Sequence, residues 1–298
     1  MPIDPADTNQ AASASPRGGI LWMLLAMFLF VSMDAAVKTL VQTHSTVQIV
    51  WARYFFHVVL LAIFLAPRLG RVVRTANLGL QLTRSLLLLA TTGLFFTGLR
   101  HVPLVESSAM MLISPLLVTA LAVPVLKERV GARRWMSVAI GFGGALLIIR
   151  PGAEAMQLAI LFPTAAAATY AVYQISTRLL SKADPVLTTL FYTAVIGALL
   201  ASAAAPFFWV DPTPMGWLLM IAVGLAGGFG HFALIKAFTA SEASVVVPFT
   251  YTNMIWATAY GFFIYAELPD LWTVIGALII AASGLYVYHR ESRLKARA

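Results

Sequence analysis

Long apolar runs broken by short polar stretches organise the chain from residue 19 onward. Ten runs lie near 19–41, 47–66, 80–99, 104–126, 134–149, 156–177, 186–206, 215–237, 244–265 and 271–289. Most approach the roughly 20 residues an α-helix needs to cross a bilayer, whereas barrel strands would be shorter and would alternate. Pro67, Pro103, Pro151-Gly152, Pro185, the stretch Asp211 to Pro214, and Pro269-Asp270 punctuate the gaps. The pattern predicts an all-α membrane protein with ten transmembrane helices.

Composition agrees. Of 298 residues, 60% are hydrophobic and only 11% charged, with a mean hydropathy of +0.86. So few charges cannot cover a water-soluble enzyme, and so much apolar surface excludes disorder. The absence of cysteine removes disulfides, thiolate metal sites and thiol nucleophiles.

The net charge of +8 reads as topology and not as nucleic-acid binding, because the basic residues sit in short clusters between apolar runs. With the N-terminus in the cytoplasm, sixteen Lys and Arg, among them Arg68, Arg84, Lys127, Arg133 and Arg290, fall inside. Only Arg100 and Arg150 fall outside, while Lys38 and Arg53 lie within runs. This bias predicts a multi-pass membrane protein with both termini cytoplasmic. Residues 1–18 read as a disordered cytoplasmic tail without the basic start of a cleavable signal. Residues 290–298 read as a basic cytoplasmic tail.

The two halves, 19–150 and 156–289, look like copies. A shift of 139 residues lays the segment-four end Val-Leu-Lys-Glu128 on the segment-nine end Ile-Tyr-Ala-Glu267. The same shift aligns the helix ends at Leu99 and Phe238. Five helices per copy is an odd number, so the second copy lies upside down. The loop after segment four is basic and its counterpart after segment nine acidic, as inversion requires. Two inverted five-helix repeats form a transporter architecture with a site near the midplane.

No zinc-protease helix, nucleophile elbow or phosphate-binding loop appears, so no enzyme activity, metal or cofactor is expected. The glycines Gly141–Gly144 and Gly224–Gly230 read as close helix packing, with a hinge as the alternative.

Ionisable groups inside the apolar runs carry the functional signal, since each is costly there unless paired or wetted. Asp34 and Lys38 share a face of segment one, and Arg53 and His57 share a face of segment two. Asp34 and Arg53 lie about ten and nine residues from the turn near His44, hence at similar depth. They suit either a structural pair, Asp34 with Arg53 or Lys38, or a substrate site in which Arg53 grips a carboxylate or phosphate. His231 and Tyr251 are likewise equidistant from the turn near Ser241, and Pro248 and Asn253 lie close by. The expected substrate wall is therefore Asp34, Arg53 and His57 facing His231, Tyr251 and Asn253. Lys38, Glu106 and Glu242 are candidates for coupling or gating, though a carboxylate near a helix start also suits the dipole. Glu128 and Glu267 suit interfacial contacts.

The residues resemble the drug/metabolite transporter superfamily, specifically its EamA-type members, over about 19–289. The likeness rests on the helices ending in Glu128 and Glu267, on Gly98-Leu-Arg-His-Val-Pro103, on Lys236-Ala-Phe-Thr-Ala-Ser-Glu-Ala243, and on Trp51-Ala-Arg53-Tyr-Phe-Phe56. Arg53-Tyr-Phe-Phe, Leu82-Thr-Arg84-Ser-Leu-Leu and Val247-Pro-Phe-Thr-Tyr are similar to the branch holding S-adenosylmethionine and riboflavin transporters. Thr250, however, stands where the S-adenosylmethionine transporters have a basic residue. The resemblance implies secondary transport of a small polar or zwitterionic metabolite by alternating access, as exporter or exchanger. Uptake of S-adenosylmethionine or riboflavin is the alternative. The partners expected are the metabolite and the lipid bilayer, with a homodimer compatible. From other classes, a membrane-embedded enzyme on a lipid-linked substrate and a passive channel stand as rivals.

Overall fold

The computed structural model describes residues 16–65, 69–127, 131–150, 156–180, 183–241 and 243–295. Its long helices are α1 (Pro16–Leu40), α2 (Thr46–Leu65), α3 (Leu78–His101), α4 (Leu104–Met111 continuing as Ser114–Leu126) and α5 (Ala132–Ile149). The second set is α6 (Leu161–Leu180), α7 (Val186–Ala204), α8 (Pro214–Ala240), α9 (Thr252–Tyr265) and α10 (Leu271–Lys295). No strand occurs among the described residues. Among the described residues the chain is an all-α membrane protein of ten long helices in two five-helix repeats.

Six helices, α1, α2, α3, α4, α7 and α8, are long and apolar enough to cross a bilayer, and α5 and α10 contain shorter apolar stretches. The other two differ for local reasons. α6 carries Tyr170, Tyr173, Gln174, Thr177 and Arg178, whereas α9 is shortened because its leading residues Val247–Tyr251 form a 3-10 turn. Large side chains such as Phe207 and Phe263, 83% and 81% exposed, project outward, as a hydrocarbon solvent permits.

Local chemistry sets the boundaries. Pro16 and Pro214 open α1 and α8 at positions where a missing N–H costs nothing. Thr213 caps α8 by accepting from Gly216 N, and Asn77 caps α3 by accepting from Leu80 N. α1 therefore begins inside the stretch read from sequence as tail. At the other end the α10 backbone stays helical to Lys295, since residues 290–295 contain neither Gly nor Pro. Residues 1–15 and 296–298, and Glu128 and Glu242, lie outside the described residues.

The inverted repeat is written into the packing. α1 runs along α8, and its counterpart α6 runs along α3; α2 packs on α8, and α7 on α3. α1 also meets α9 as α6 meets α4, while α2–α7 and α5–α10 pair across the pseudo-twofold itself. Most helices thus find their main partners in the opposite repeat. At the α5–α10 contact a Cβ on Gly144 would lie 2.8 Å from Gly276 O, and one on Gly276 2.6 Å from Gly144 O. Only glycine lets these backbones approach so closely.

Helices α4 and α9 share two irregularities at the same register. α4 breaks at Leu112–Ile113, where Pro115 cannot donate to the Met111 carbonyl. α9 is entered through Val247–Tyr251, which contains Pro248. Leu112 and Tyr251 are 139 residues apart. Both helices end on a left-handed residue, Lys127 (φ 54°) and Ala266 (φ 53°), again 139 apart. Discontinuous helices at matching positions of two halves point to the centre of a transport site.

Candidate functional site

The polar centre lies where α1, α2, α3 and α8 meet. Gly227 of α8 leaves room for Met33 Sδ and Arg53 Nε, 3.4 and 3.8 Å from where its Cβ would be. One position on, Gly228 faces His57, whose Cδ2 would be 3.2 Å away. His57 stacks on His231 with centroids 6.0 Å apart and planes 8° apart. His231 in turn meets the edge of Phe30 at 5.0 Å.

Asp34 is buried, 7% exposed, and Arg53 is its electrostatic neighbour. Among the described residues Asp34 makes no direct hydrogen bond or ion pair. Arg53 is half-buried and donates through Nη1 to Thr92 Oγ1. Its guanidinium also lies 5.5 Å from the ring centroid of Tyr54 and 5.7 Å from that of Phe96. Thr92 Oγ1 spends its one proton on Leu88 O at 2.8 Å. Its lone pairs therefore receive both Arg53 and the Tyr54 hydroxyl, the latter at 3.2 Å.

A second cation lies deeper than its sequence position suggested. Arg84, counted above among cytoplasmic-side charges, is 3% exposed within α3. Its Nε donates to Thr177 Oγ1 at 2.6 Å and its Nη1 to Thr189 O at 3.2 Å. Nη1 also reaches Thr193 Oγ1, and Nη2 reaches Tyr173 OH. Tyr173 stacks on Tyr170 at 5.5 Å and 16°, and both rings are electrostatic neighbours of Arg53 as well as Arg84.

Polar ties between the repeats close both ends of this centre. On one side Lys38 Nζ pairs with Glu267 Oε1 at 3.0 Å and donates to Val102 O at 3.0 Å. Glu267 Oε2 also accepts from Leu104 N at 3.2 Å, capping α4. Arg150 pairs with Asp270 there. Glu106, half-buried, lines a cavity of about 230 Å³ with Arg150 and Asp270. On the same side Gln48 Nε2 donates to Val210 O at 2.8 Å and Gln48 Oε1 accepts from Val210 N at 3.1 Å.

At the opposite end Asp184, in the turn before α7, accepts from Ala76 N at 2.8 Å, from Gln81 Nε2 at 2.9 Å, and from Thr75 Oγ1. Desolvation pushes its carboxyl up, but these three donors outweigh it and hold the group below the usual carboxylate range.

Asp34, Arg53, His57 and His231 are therefore brought together. Lys38 is not paired with Asp34; it turns to Glu267, which the equal spacing along α1 did not reveal. Tyr251 turns away from His231: its hydroxyl lies where a Cβ on Gly284 of α10 would be. It also lines an apolar cavity of about 810 Å³ with Met254, Thr258 and Leu278. Asn253 is half-buried and makes no hydrogen bond among the described residues. Arg84, Tyr54, Thr92 and Tyr173 were absent from the expected wall. Depth would have found them: Arg84 is about six residues into α3, and Tyr173 about seven from the end of α6.

Known proteins match this arrangement along nearly its whole length. The EamA-like transporter family model fits residues 17–150 and again 157–288. An S-adenosylmethionine uptake transporter of Rickettsia prowazekii is 27% identical, covering 92% of this chain and 94% of that protein. A riboflavin transporter of Vibrio cholerae is 28% identical over 95% of this chain and 96% of its own length. A pseudopaline exporter of Pseudomonas aeruginosa is 24% identical over 90% and 94%. One solved structure superposes with a TM-score of 0.64 at 18% identity, covering 94% of this chain and 99% of its own, which supports the fold. These matches describe a transporter of small molecules in a bacterial membrane and not an enzyme: the chain belongs to the EamA-like transporter family.

Proposed function

We propose that the protein is a secondary carrier of a small polar or zwitterionic metabolite across the bacterial inner membrane, exporting or exchanging it by alternating access. Both termini lie in the cytoplasm, so the Lys38–Glu267 end faces outward and the Asp184 end inward. The repeats run 19–150 and 156–289. The observation carrying this reading is the buried meeting of Asp34, Arg53, His57 and His231 between helices of opposite repeats. An ionisable cluster at that place is costly unless it is paired, wetted or serving a ligand, and Asp34 makes no direct ion pair among the described residues. Arg53 offers a planar fork to a carboxylate or phosphate, Asp34 takes a cation, and the histidine pair offers a polar edge. Lys38 with Glu267, and Glu106 beside them, gate the outer end. Tyr251 and Asn253 join the wall when α9 rotates about its 3-10 turn.

Uptake of S-adenosylmethionine or riboflavin is the second reading, favoured by the relatives carrying those names. Both compounds join a planar ring system to a polar chain, which suits the aromatic and charged lining.

Counterflow in proteoliposomes tests the proposal. A metabolite pool that includes both compounds is loaded inside, the same pool isotopically labelled is added outside, and uptake is read by mass spectrometry. Selective accumulation that Arg53→Ala abolishes, from protein still folded in detergent, is expected. Transport unchanged by that variant removes Arg53 from the site. No exchange by folded protein, with or without an imposed pH gradient, overturns the carrier reading.

A further inference from the structure

Among the described residues, three cations near the inter-repeat interface have acids beside them. Lys38 pairs with Glu267 and Arg150 with Asp270, and Arg53 neighbours Asp34. Arg84 is different. Among the described residues no carboxylate pairs with it; its electrostatic neighbours are Tyr173, Tyr170 and Tyr54. Its guanidinium lies 4.4 Å from the Tyr173 ring centroid.

The surroundings of Arg84 are shaped to solvate a cation without neutralising it. Thr177 Oγ1 gives its proton to Tyr173 O at 2.7 Å, and Thr193 Oγ1 gives its own to Thr189 O at 2.8 Å. Both hydroxyls therefore turn lone pairs toward the guanidinium. Four of its five nearly coplanar N–H donors thus meet neutral oxygens, an arrangement an incoming oxyanion can replace in kind. A buried charge without a counter-ion is a costly way to join helices, because apolar residues of similar volume serve that purpose as well. All of its oxygen partners belong to α6 and α7, in the opposite repeat. Separating α3 from α6 and α7 would strip Arg84 of them and leave its N–H donors facing the gap, one side of which is the α6 helix that carries the Tyr170–Tyr173 stack.

We propose that Arg84 is a second oxyanion subsite of the carrier, taking the carboxylate or phosphate of a ring-bearing ligand as the α3 end of the bundle opens. The proposal rests on the carrier reading above. The tyrosine pair, a neighbour of both arginines, gives the ring a face to stack on, and the ligand's negative charge balances two arginines against the single acid Asp34. Arg84 is then a gate residue when empty and a ligand residue when occupied.

The test uses full-length protein in detergent, with phenylacetate and phenyl phosphate as oxyanion probes and phenylacetamide as their neutral control. Thermal midpoints are followed over a concentration series to tens of millimolar. The expected result is stabilisation by one or both oxyanions, at least tenfold weaker response to phenylacetamide, and at least tenfold loss of the oxyanion response in Arg84→Gln. Arg84→Lys keeps part of it. A response to phenyl phosphate alone assigns a phosphate ligand, and one to phenylacetate alone a carboxylate. Wild-type protein equally indifferent to all three probes, or Arg84→Gln responding like wild type, overturns the proposal. Should Arg84→Gln fail to fold, Arg84→Lys decides: loss of the whole response together with stability marks a purely structural arginine. Counterflow separates the two readings. Arg53-dependent exchange without oxyanion stabilisation sinks this subsite alone, whereas absent exchange sinks the carrier reading whatever the probes do.

Discussion

Ser45 and Asp184 occupy the same register of the two repeats, 139 residues apart, and each ties its turn to a loop of the opposite repeat at opposite ends of the bundle. Ser45 Oγ donates to Phe208 O at 2.8 Å, whereas Asp184 accepts from Thr75, Ala76 and Gln81. The two ends are thus latched by equivalent positions with different chemistry. One latch is neutral and the other is a carboxylate, so of these two contacts only the Asp184 one titrates in acid.

The Asp184 carboxyl is held low in the folded protein, so its contribution is fully present above its unfolded value near 4 and is lost as pH falls through the folded value. Asp184→Asn is expected to lower stability by about 1–2 kcal/mol at pH 7, the scale of hydrogen bonds to a charged acceptor. The gap from wild type should narrow as pH falls below the unfolded value near 4, and close once the pH lies below the folded value, where both side chains are neutral. Thermal midpoints of the purified pair from pH 7 to pH 2.5 check this. A gap that persists undiminished in acid shows that the charge is irrelevant to the latch.

How much of this was readable in the sequence depends on which link is asked for. Ten helices and their inversion followed from apolar run lengths and from Lys127-Glu128 aligning with Ala266-Glu267, because bilayer thickness and repeat register are one-dimensional quantities. Depth arithmetic brought Asp34 to Arg53 for the same reason. It failed for Tyr251, which is at the right depth but faces α10, and for Lys38, which shares a helix face with Asp34 yet reaches Glu267. Rotation about the helix axis and the choice of neighbour are set by packing across the repeats, such as α1 on α8 and α3 on α6. Without knowing that α3 lies against α6 and α7, Arg84 reads as a loop charge. The break in α4 was missed as well, because Pro115 sits at the start of the second piece, where proline is ordinarily benign.

Ala266 has φ 53° and ψ 29°, a left-handed conformation that strains a side chain with a Cβ. Its amide is already used to close α9 by donating to Phe262 O. Ala266→Gly removes the strain at the cost of some unfolded-chain freedom. A net gain of about 0.5–1 kcal/mol is expected, and Ala266→Val should lose at least as much. A detergent-based thermal unfolding series of the three proteins checks the order Gly above Ala above Val.

The Lys38–Glu267 pair holds α1 against the segment that follows α9, and its two members are unequally sheltered, 8% and 27% exposed. Removing one partner leaves the other charge in a poor dielectric, so each of Lys38→Met and Glu267→Gln is expected to destabilise by about 2–4 kcal/mol. The double variant should lose less than the sum, with a coupling of about 1–3 kcal/mol in a thermodynamic cycle. If the pair gates the outer end, the double variant should also exchange substrate faster than wild type in the counterflow assay. Strict additivity of the two single losses would remove the pair as a functional contact.

Thr92 offers a way to disturb Arg53 without touching its charge. Its hydroxyl oxygen receives both Arg53 Nη1 and Tyr54 OH while its own proton is fixed on Leu88 O. Thr92→Val keeps the shape and removes that shared acceptor, leaving a buried tyrosine hydroxyl and a guanidinium N–H unsatisfied. The stability loss should be about 1–3 kcal/mol. Arg53, freed from its anchor, should meet substrate in a wrong orientation, which in the half-saturation constant for exchange is a rise of roughly tenfold per 1.4 kcal/mol of lost binding. Thr92→Ser, which retains the oxygen, should restore most of both. Comparing half-saturation and maximal exchange rates for the three proteins distinguishes this from a packing defect. A positioning loss raises half-saturation and is rescued by serine, whereas a packing defect leaves serine, which lacks the methyl group, as impaired as valine or more so.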